Sequence, residues 1–236
     1  MDLKNKTFIL TGAARIGQNV AEMLNEQGAN LVMTYFRSPQ EAGALGVRIQ
    51  ADVSKEEDVQ RVVETAKKEF GRIDGLVHMA ATYERVPWKE LNEDAWTRSM
   101  DTIAKSAFLF GKIAGDEMLR NKGEIKGKII LFSDWSVLAR PYQEYLPYNV
   151  AKTAIIGITK SLAKELAPSV LVNCIAPGPI LKPPDLTEAE EQEVFEKTPL
   201  KRWGGAEEIT KGVRYLLEAD FVTGHVLTID GGRTIA

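Results

Sequence analysis

"FILTGAARIGQNVAEML", residues 8–24, joins a continuous apolar run to a segment of helical period through a turn that carries two glycines. In its second half Ile16, Val20, Met23 and Leu24, continued by Gln27, keep the i, i+4, i+7, i+8 rhythm of a helix with one inward face, and Gly28 ends it. The first half shows no polar alternation, as in a strand covered on both faces. A strand that feeds a helix through a tight turn is the opening unit of a parallel α/β sheet.

The same alternation continues along the chain. "TFILTG", "ANLVMTY", "VRIQAD", "IDGLVHMA", "GKIILFSD", "SVLVNCIAP" and "HVLTIDGG" are strand candidates, and helices are expected at about 16–27, 55–70, 93–120, 148–166 and 205–218. Right-handed crossovers then give a single-domain Rossmann fold: a doubly wound parallel sheet of about seven strands with helices on both faces. No composition shift, repeat or low-complexity tract divides residues 1–236. The longest irregular stretch begins at Pro177 and leads into the acidic "DLTEAEEQEVFEK", so residues from about 178 to 203 are expected to form a substrate loop, with a plain surface insertion as the alternative.

Composition narrows the partners. With 236 residues and 44% apolar content the chain buries a substantial core, while 27% charged residues and a net charge of -3 give no basic field for nucleic acid or anionic lipid. No apolar stretch reaches the roughly 20 residues of a membrane helix, and "MDLKNKTFILTG" is interrupted too soon for a signal peptide, so the expected location is the cytoplasm. Cys174 is the single cysteine and sits in an apolar run, where a thiol packs as a small hydrophobe. Two histidines and one thiol provide no zinc-type ligand spacing, so no metal is expected.

The glycine turn is suited to an anion, because N–H groups and the dipole at a helix start face a bound pyrophosphate. Gly12 and Gly17 are present without a middle glycine, and a plain tight turn stays open as the other reading. The end of the second strand, about 20 residues on, is where a dinucleotide-binding unit selects its cofactor. An NAD site would place Asp or Glu there, whereas this chain offers "TYFRSP", in which Arg37 can pair with a phosphate and Ser38 can donate beside it. NADP(H) is therefore the expected cofactor.

"YNVAK", residues 148–152, sets a phenol and an ammonium on one helix face. An adjacent cation would lower the tyrosine from its ordinary pKa of about 10 toward useful acid–base exchange, a change of about 3 units being worth roughly 4 kcal/mol. The helix follows the strand "KIILFSD", whose tip, Ser133 and Asp134, points to the edge where ligands of doubly wound sheets gather.

With these residues in place, the chain resembles a short-chain dehydrogenase/reductase over nearly its whole length, from "TGAARIG" through "YNVAK" and "NCIAPGPI" to "TGHVLTIDGG". The resemblance implies that Tyr148 donates a proton to a carbonyl or imine as hydride leaves the nicotinamide and that Lys152 also holds the nicotinamide ribose. It implies further cofactor contacts from Gly12, Arg15, Ile16 and Gly17 in the turn, from Tyr35, Arg37 and Ser38 after the second strand, and from Asp52 and Val53 after the third. Ala80 and Ala81 beyond the fourth strand and Pro177, Gly178 and Ile180 beyond the sixth complete the set. Relatives commonly form tetramers, so a small-molecule substrate and a homo-oligomer, tetramer or dimer, are expected.

Within the family the look is closest to pteridine reductases: "YFRSPQEA" resembles their NADP-selecting turn, "AATYERVPW" the segment lining the pterin pocket, and "FSDW" has aspartate where most relatives have serine. That resemblance gives Asp134 the third catalytic place and puts Tyr83 at an aromatic stacking position, with Asp134, Tyr83 and Tyr148 as the substrate-binding set. The 3-oxoacyl-carrier-protein reductases share the framework and remain the alternative.

Four departures from the family pattern stand out. The glycine turn is one residue short, with Arg15 in place of a glycine. "HMAA" replaces the usual Asn-Asn-Ala-Gly, and His78 is expected as a packed substitute, with a catalytic base as the alternative. Ile103 occupies the position of a water-holding asparagine and cannot hydrogen-bond that water. Asp134 to Tyr148 is one residue longer than usual, so a bulge in "WSVLARPYQ" is expected, with Ser133 or Ser136 as alternatives for the third place. A cofactor-binding protein with little catalysis is the competing reading that these departures motivate.

Overall fold

The computed structural model describes residues 2–37, 39, 45–183 and 186–236. Seven strands form one parallel sheet in the order β3-β2-β1-β4-β5-β6-β7. They are β1 (Thr7–Thr11), β2 (Asn30–Tyr35), β3 (Val47–Gln50), β4 (Gly75–His78), β5 (Gly127–Phe132), β6 (Val170–Pro177) and β7 (Val226–Ile229). Every residue of β1, β4 and β5 is buried, which is why their sequences show no polar alternation.

The helices divide between the two faces. Against one face pack α2 (Glu56–Phe70), α4 (Ser106–Met118) and α5 (Leu146–Leu166), whose Val59, Val62, Phe110, Ile155 and Leu162 share a core with Ile9, Leu76 and Ile129 of the strands. On the other lie α1 (Ile16–Glu26) and α7 (Ala206–Glu218), packing Val20, Leu24, Ile209 and Val213 on Phe8, Leu10 and Ile130. Local chemistry fixes the ends of α2: Glu56, Glu57 and Asp58 face the positive end of its dipole, Lys67 and Lys68 the negative end, and Gly71 takes the left-handed cap. This is the single-domain Rossmann-type α/β fold expected from the sequence.

Three segments differ from the sequence reading. The helix expected over 93–120 is α3 (Glu93–Ser99), a π turn over Met100–Lys105, and α4, because a wide turn changes the backbone register without altering the side-chain period. Inside the expected loop lies α6 (Glu188–Glu196), started by a reciprocal capping box between Thr187 and Glu190. Between Asp134 and Tyr148 the extra residue is taken up by a 3-10 turn over Trp135–Leu138 and a connecting loop, not by a bulge within a strand.

Strand order reverses between β1 and β4, so α1 and α4 leave opposite faces and a crevice opens at the carboxyl edge. No helix is long and apolar enough to cross a membrane, and among the described residues no group of three His, Cys, Asp or Glu side chains could hold a metal ion.

Candidate active site

The crevice holds two adjoining cavities that share Gly12, Ala14 and Ala81 in their walls. The smaller, of about 310 Å³, is lined by Tyr35, Arg37, Asp52, Val53 and Ala80 with Gly12. The larger, of about 600 Å³, is lined by Arg15, Ile16, Gly17, Tyr83, Ser133, Asp134, Tyr148, Lys152, Pro177, Gly178 and Ile180. Every site residue expected from the sequence therefore faces one of the two, apart from Ser38, which lies outside the described residues.

The turn between β1 and α1 needs its glycines. A Cβ on Gly12, which has φ of +65°, would lie 2.7 Å from the Ala80 nitrogen, and one on Gly17 would lie 2.5 Å from the Gly12 carbonyl oxygen. The resulting hollow at the first turn of α1 fits a phosphate. Arg15 stands at the N-cap of α1 with φ 53° and ψ -114°, in backbone space that suits glycine. The side chain pointing into the larger cavity is thus carried by a strained residue.

Across the sheet, β5 and α5 are laced together at the site. The buried Lys152 ammonium donates to the Phe132 carbonyl at 2.8 Å, and the Ser133 hydroxyl donates to the Lys152 carbonyl at 2.8 Å. Beyond this double tie, the Tyr148 hydroxyl donates to Asp134 Oδ2 at 2.6 Å, and Asp134 Oδ1 accepts the Ser136 backbone N–H at 2.8 Å. Of the three alternatives for the third place, Asp134 is thus the side chain that meets the phenol; Ser133 is bound to the helix backbone and Ser136 is fully buried.

Electrostatics here run opposite to the sequence expectation for the phenol. Burial, and then the carboxylate of Asp134, hold the Tyr148 proton well above the ordinary tyrosine range. Lys152 is not among the groups that shift the phenol: its ammonium lies 5.8 Å from the centre of the Tyr148 ring and gives one of its three N–H bonds to the Phe132 carbonyl. Burial draws Lys152 itself down to about 8, with Asp134 acting against that shift. Cys174, buried in β6, has its thiol pushed up to about 11 by burial, as suits a packed side chain.

A ring cluster surrounds the phenol. Tyr83 stacks on Tyr145 at 4.5 Å and meets Tyr148 edge-on at 5.0 Å, while Trp135 Nε1 donates to the Tyr142 hydroxyl at 2.8 Å. Trp135, Tyr142, Trp203 and Arg233 also line the larger cavity; no motif marks them in the sequence, and only the aromatic richness of 135–148 hints at them. Ile103 is buried in the core with Tyr148 and Ile155.

His78 is fastened on both ring nitrogens. The Ser106 hydroxyl donates to the Thr102 carbonyl at 2.6 Å, so toward His78 Nε2, 2.9 Å away, it accepts. Nε2 therefore carries the proton, and Nδ1 accepts from the Thr11 hydroxyl at 2.8 Å; the Thr11 oxygen in turn accepts the Ala80 N–H at 3.2 Å. One directed chain of hydrogen bonds thus connects the cavity wall at Ala80 to the π turn. Burial, with Lys152 assisting, lowers His78 to about 3.

Residues 12–234 match the protein family described as enoyl-(acyl carrier protein) reductase. Glucose 1-dehydrogenase 2 of Bacillus subtilis is 34% identical, over 99% of this chain and 96% of that protein. A 3-oxoacyl-(acyl-carrier-protein) reductase of Staphylococcus epidermidis is 32% identical, over 97% and 98%. Among solved structures, a short-chain dehydrogenase/reductase from Serratia marcescens superposes with a TM-score of 0.89 at 30% identity, covering 99% of this chain and 100% of that one.

Two outcomes are expected from this geometry. Arg15→Gly relieves the backbone and raises unfolding free energy by about 1 kcal/mol, read by urea denaturation; an unchanged or lower midpoint contradicts the strain. For His78, the folded value near 3 lies below the ordinary 6.5, so the unfolded chain binds the extra proton and stability falls as pH drops through that window. Between pH 6.5 and 5 the wild type should lose about 2 kcal/mol more than His78→Asn, and equal losses would contradict the neutral imidazole.

Proposed function

The chain belongs to the short-chain dehydrogenase/reductase family of oxidoreductases, and from that membership we propose that it is an NADPH-dependent reductase acting on a C=N or C=O bond of a small, flat molecule, a pteridine in first place. The observation that carries the reading is the hydrogen bond from Tyr148 to Asp134. Asp134 keeps the phenol protonated but also makes it a weaker acid, so delivering the proton to a substrate requires this hydrogen bond to be exchanged for one to the substrate.

Asp134 refines the substrate class. A carboxylate accepts hydrogen bonds and donates none, so it offers nothing to a bare ketone oxygen but complements an N–H group beside a C=N bond. Tyr83, edge-on to the phenol and 60% exposed, presents a ring on which a flat heterocycle can stack. We assign Tyr148 as acid, Asp134 as orienting acceptor and Lys152 as the cation beneath them.

NADP(H) fits the hollow under Gly12 and Gly17, and when bound it would supply the hydride. Arg37 lines the smaller cavity together with Tyr35 and Asp52, and its planar fork suits a ribose phosphate; Arg15 offers a second cation to the phosphates at the turn. In the larger cavity, Pro177, Gly178 and Ile180 would support the nicotinamide. Exposed Trp88, Phe108 and Phe221 support a homo-oligomer as the working form.

A second reading, reduction of a 3-oxoacyl thioester, is favoured by the 32% identical Staphylococcus relative. The two separate in an NADPH-oxidation assay comparing a dihydropteridine with acetoacetyl-N-acetylcysteamine. We expect turnover of the dihydropteridine, a shift toward the thioester in Asp134→Ser, and loss of about a thousandfold in kcat in Tyr148→Phe with cofactor affinity retained. A wild type that prefers the thioester removes the pteridine reading, and a fully active Tyr148→Phe removes the acid. NADPH should bind about tenfold more tightly than NADH, with the preference reduced in Arg37→Ala, and equal affinities by fluorescence titration would defeat the cofactor assignment.

A further inference from the structure

The rings that wall the larger cavity are accompanied by a cation with no part in proton transfer. Arg233, half-buried, lies with its guanidinium carbon 5.1 Å from the centre of the Trp135 ring. Its Nη1 donates to the Val194 carbonyl at 2.9 Å and approaches Thr198 Oγ1 at 3.4 Å, which fixes the fork without consuming it. Nε and Nη2 have no acceptor among the described residues. Of the charges around it, Glu193 is engaged by Lys197, and Arg140 adds a second positive charge. A partly desolvated, oriented guanidinium facing an aromatic-walled cavity is a seat for a planar oxyanion.

We propose that Arg233 is a specificity-determining residue that receives a carboxylate of the substrate, so that the pocket takes flat aromatic molecules bearing an anionic group. This assignment rests on the reductase reading for the fate of the substrate but not for its binding. Asp134, on the wall of the same cavity, repels an anion and accepts N–H groups, so the two side chains together fix which way the molecule enters: anionic end at Arg233, reducible bond at Tyr148. The C-terminal 3-10 turn, Arg233–Ile235, thereby contributes to its own subunit's cavity.

Two measurements test it. Calorimetric titration of benzoate and of its neutral isostere benzamide into the NADP+-supplemented protein should show benzoate binding about tenfold more tightly in the wild type, near-equal affinities in Arg233→Gln, and a partly kept preference in Arg233→Lys. NADPH oxidation with benzoylformate and its methyl ester should show kcat/KM for the acid falling about tenfold in Arg233→Gln while the ester changes by less than about twofold. Equal binding of benzoate and benzamide to the wild type, or an undiminished preference in Arg233→Gln, overturns the anion seat. Selective binding of benzoate that depends on Arg233 upholds it even if neither ketone is reduced, a result that would count against the reductase reading alone.

Discussion

The hydrogen bond between the Tyr148 hydroxyl and Asp134 is the contact on which the chemistry of the crevice turns. It exists because two ties bring the end of β5 and the first turns of α5 together, Lys152 to the Phe132 carbonyl and Ser133 to the Lys152 carbonyl, while the Ser136 N–H holds the Asp134 carboxylate in place. In a site with a serine at position 134, a hydroxyl could turn and donate. A carboxylate has only one sense, so the proton between the two groups belongs to the tyrosine. Lys152, lying under the ring with its donor engaged, stabilises the site through position more than by acidifying the phenol.

Strain and order at the crevice are distributed unevenly. The cofactor side carries a residue forced into glycine-like backbone space, Arg15, beside glycines whose replacement would collide with Ala80 and Gly12. The wall facing it is held by His78, whose directed chain from Ala80 through Thr11 to Ser106 and Thr102 leaves no polar ring atom unmet. Replacing a paired amide by an imidazole therefore keeps the wall in place, provided the ring stays neutral, and burial ensures that it does.

Most of the fold was legible in the chain because strands covered on both faces must be continuously apolar, as β1, β4 and β5 are; the edge strands β3 and β7 are less covered, and β3 exposes Arg48 and Gln50. The segments that escaped lack that physical trace. α6 buries none of its residues, so it has no inward stripe to read, and its start is signalled only by Thr187 and Glu190 inside a proline-rich, acidic stretch. The π turn changes hydrogen-bond register, which side-chain periodicity does not record. At the site, the spacing of Tyr148 and Lys152 pointed to one cavity only together with the strand tip that precedes them, and the raised phenol left no trace, because it depends on how deeply the ring sinks and on which oxygen it meets. Arg233 follows "DGG" at the end of the last strand and becomes a cavity residue only through the closing of the chain on Trp135.

The origin of each wall in the chain also bears on how such a protein can change. Tyr148 stands on α5 and its carboxylate partner Asp134 just beyond β5, whereas Leu181, Val194, Trp203 and Arg233 all come from segments beyond β6. Selection can therefore redraw the guest list through the last quarter of the polypeptide while the Tyr148–Asp134 pair stays as it is. Divergence of that kind needs no compensating change at the reacting pair, and it offers a route by which one ancestral scaffold can diversify into descendants of unlike diet.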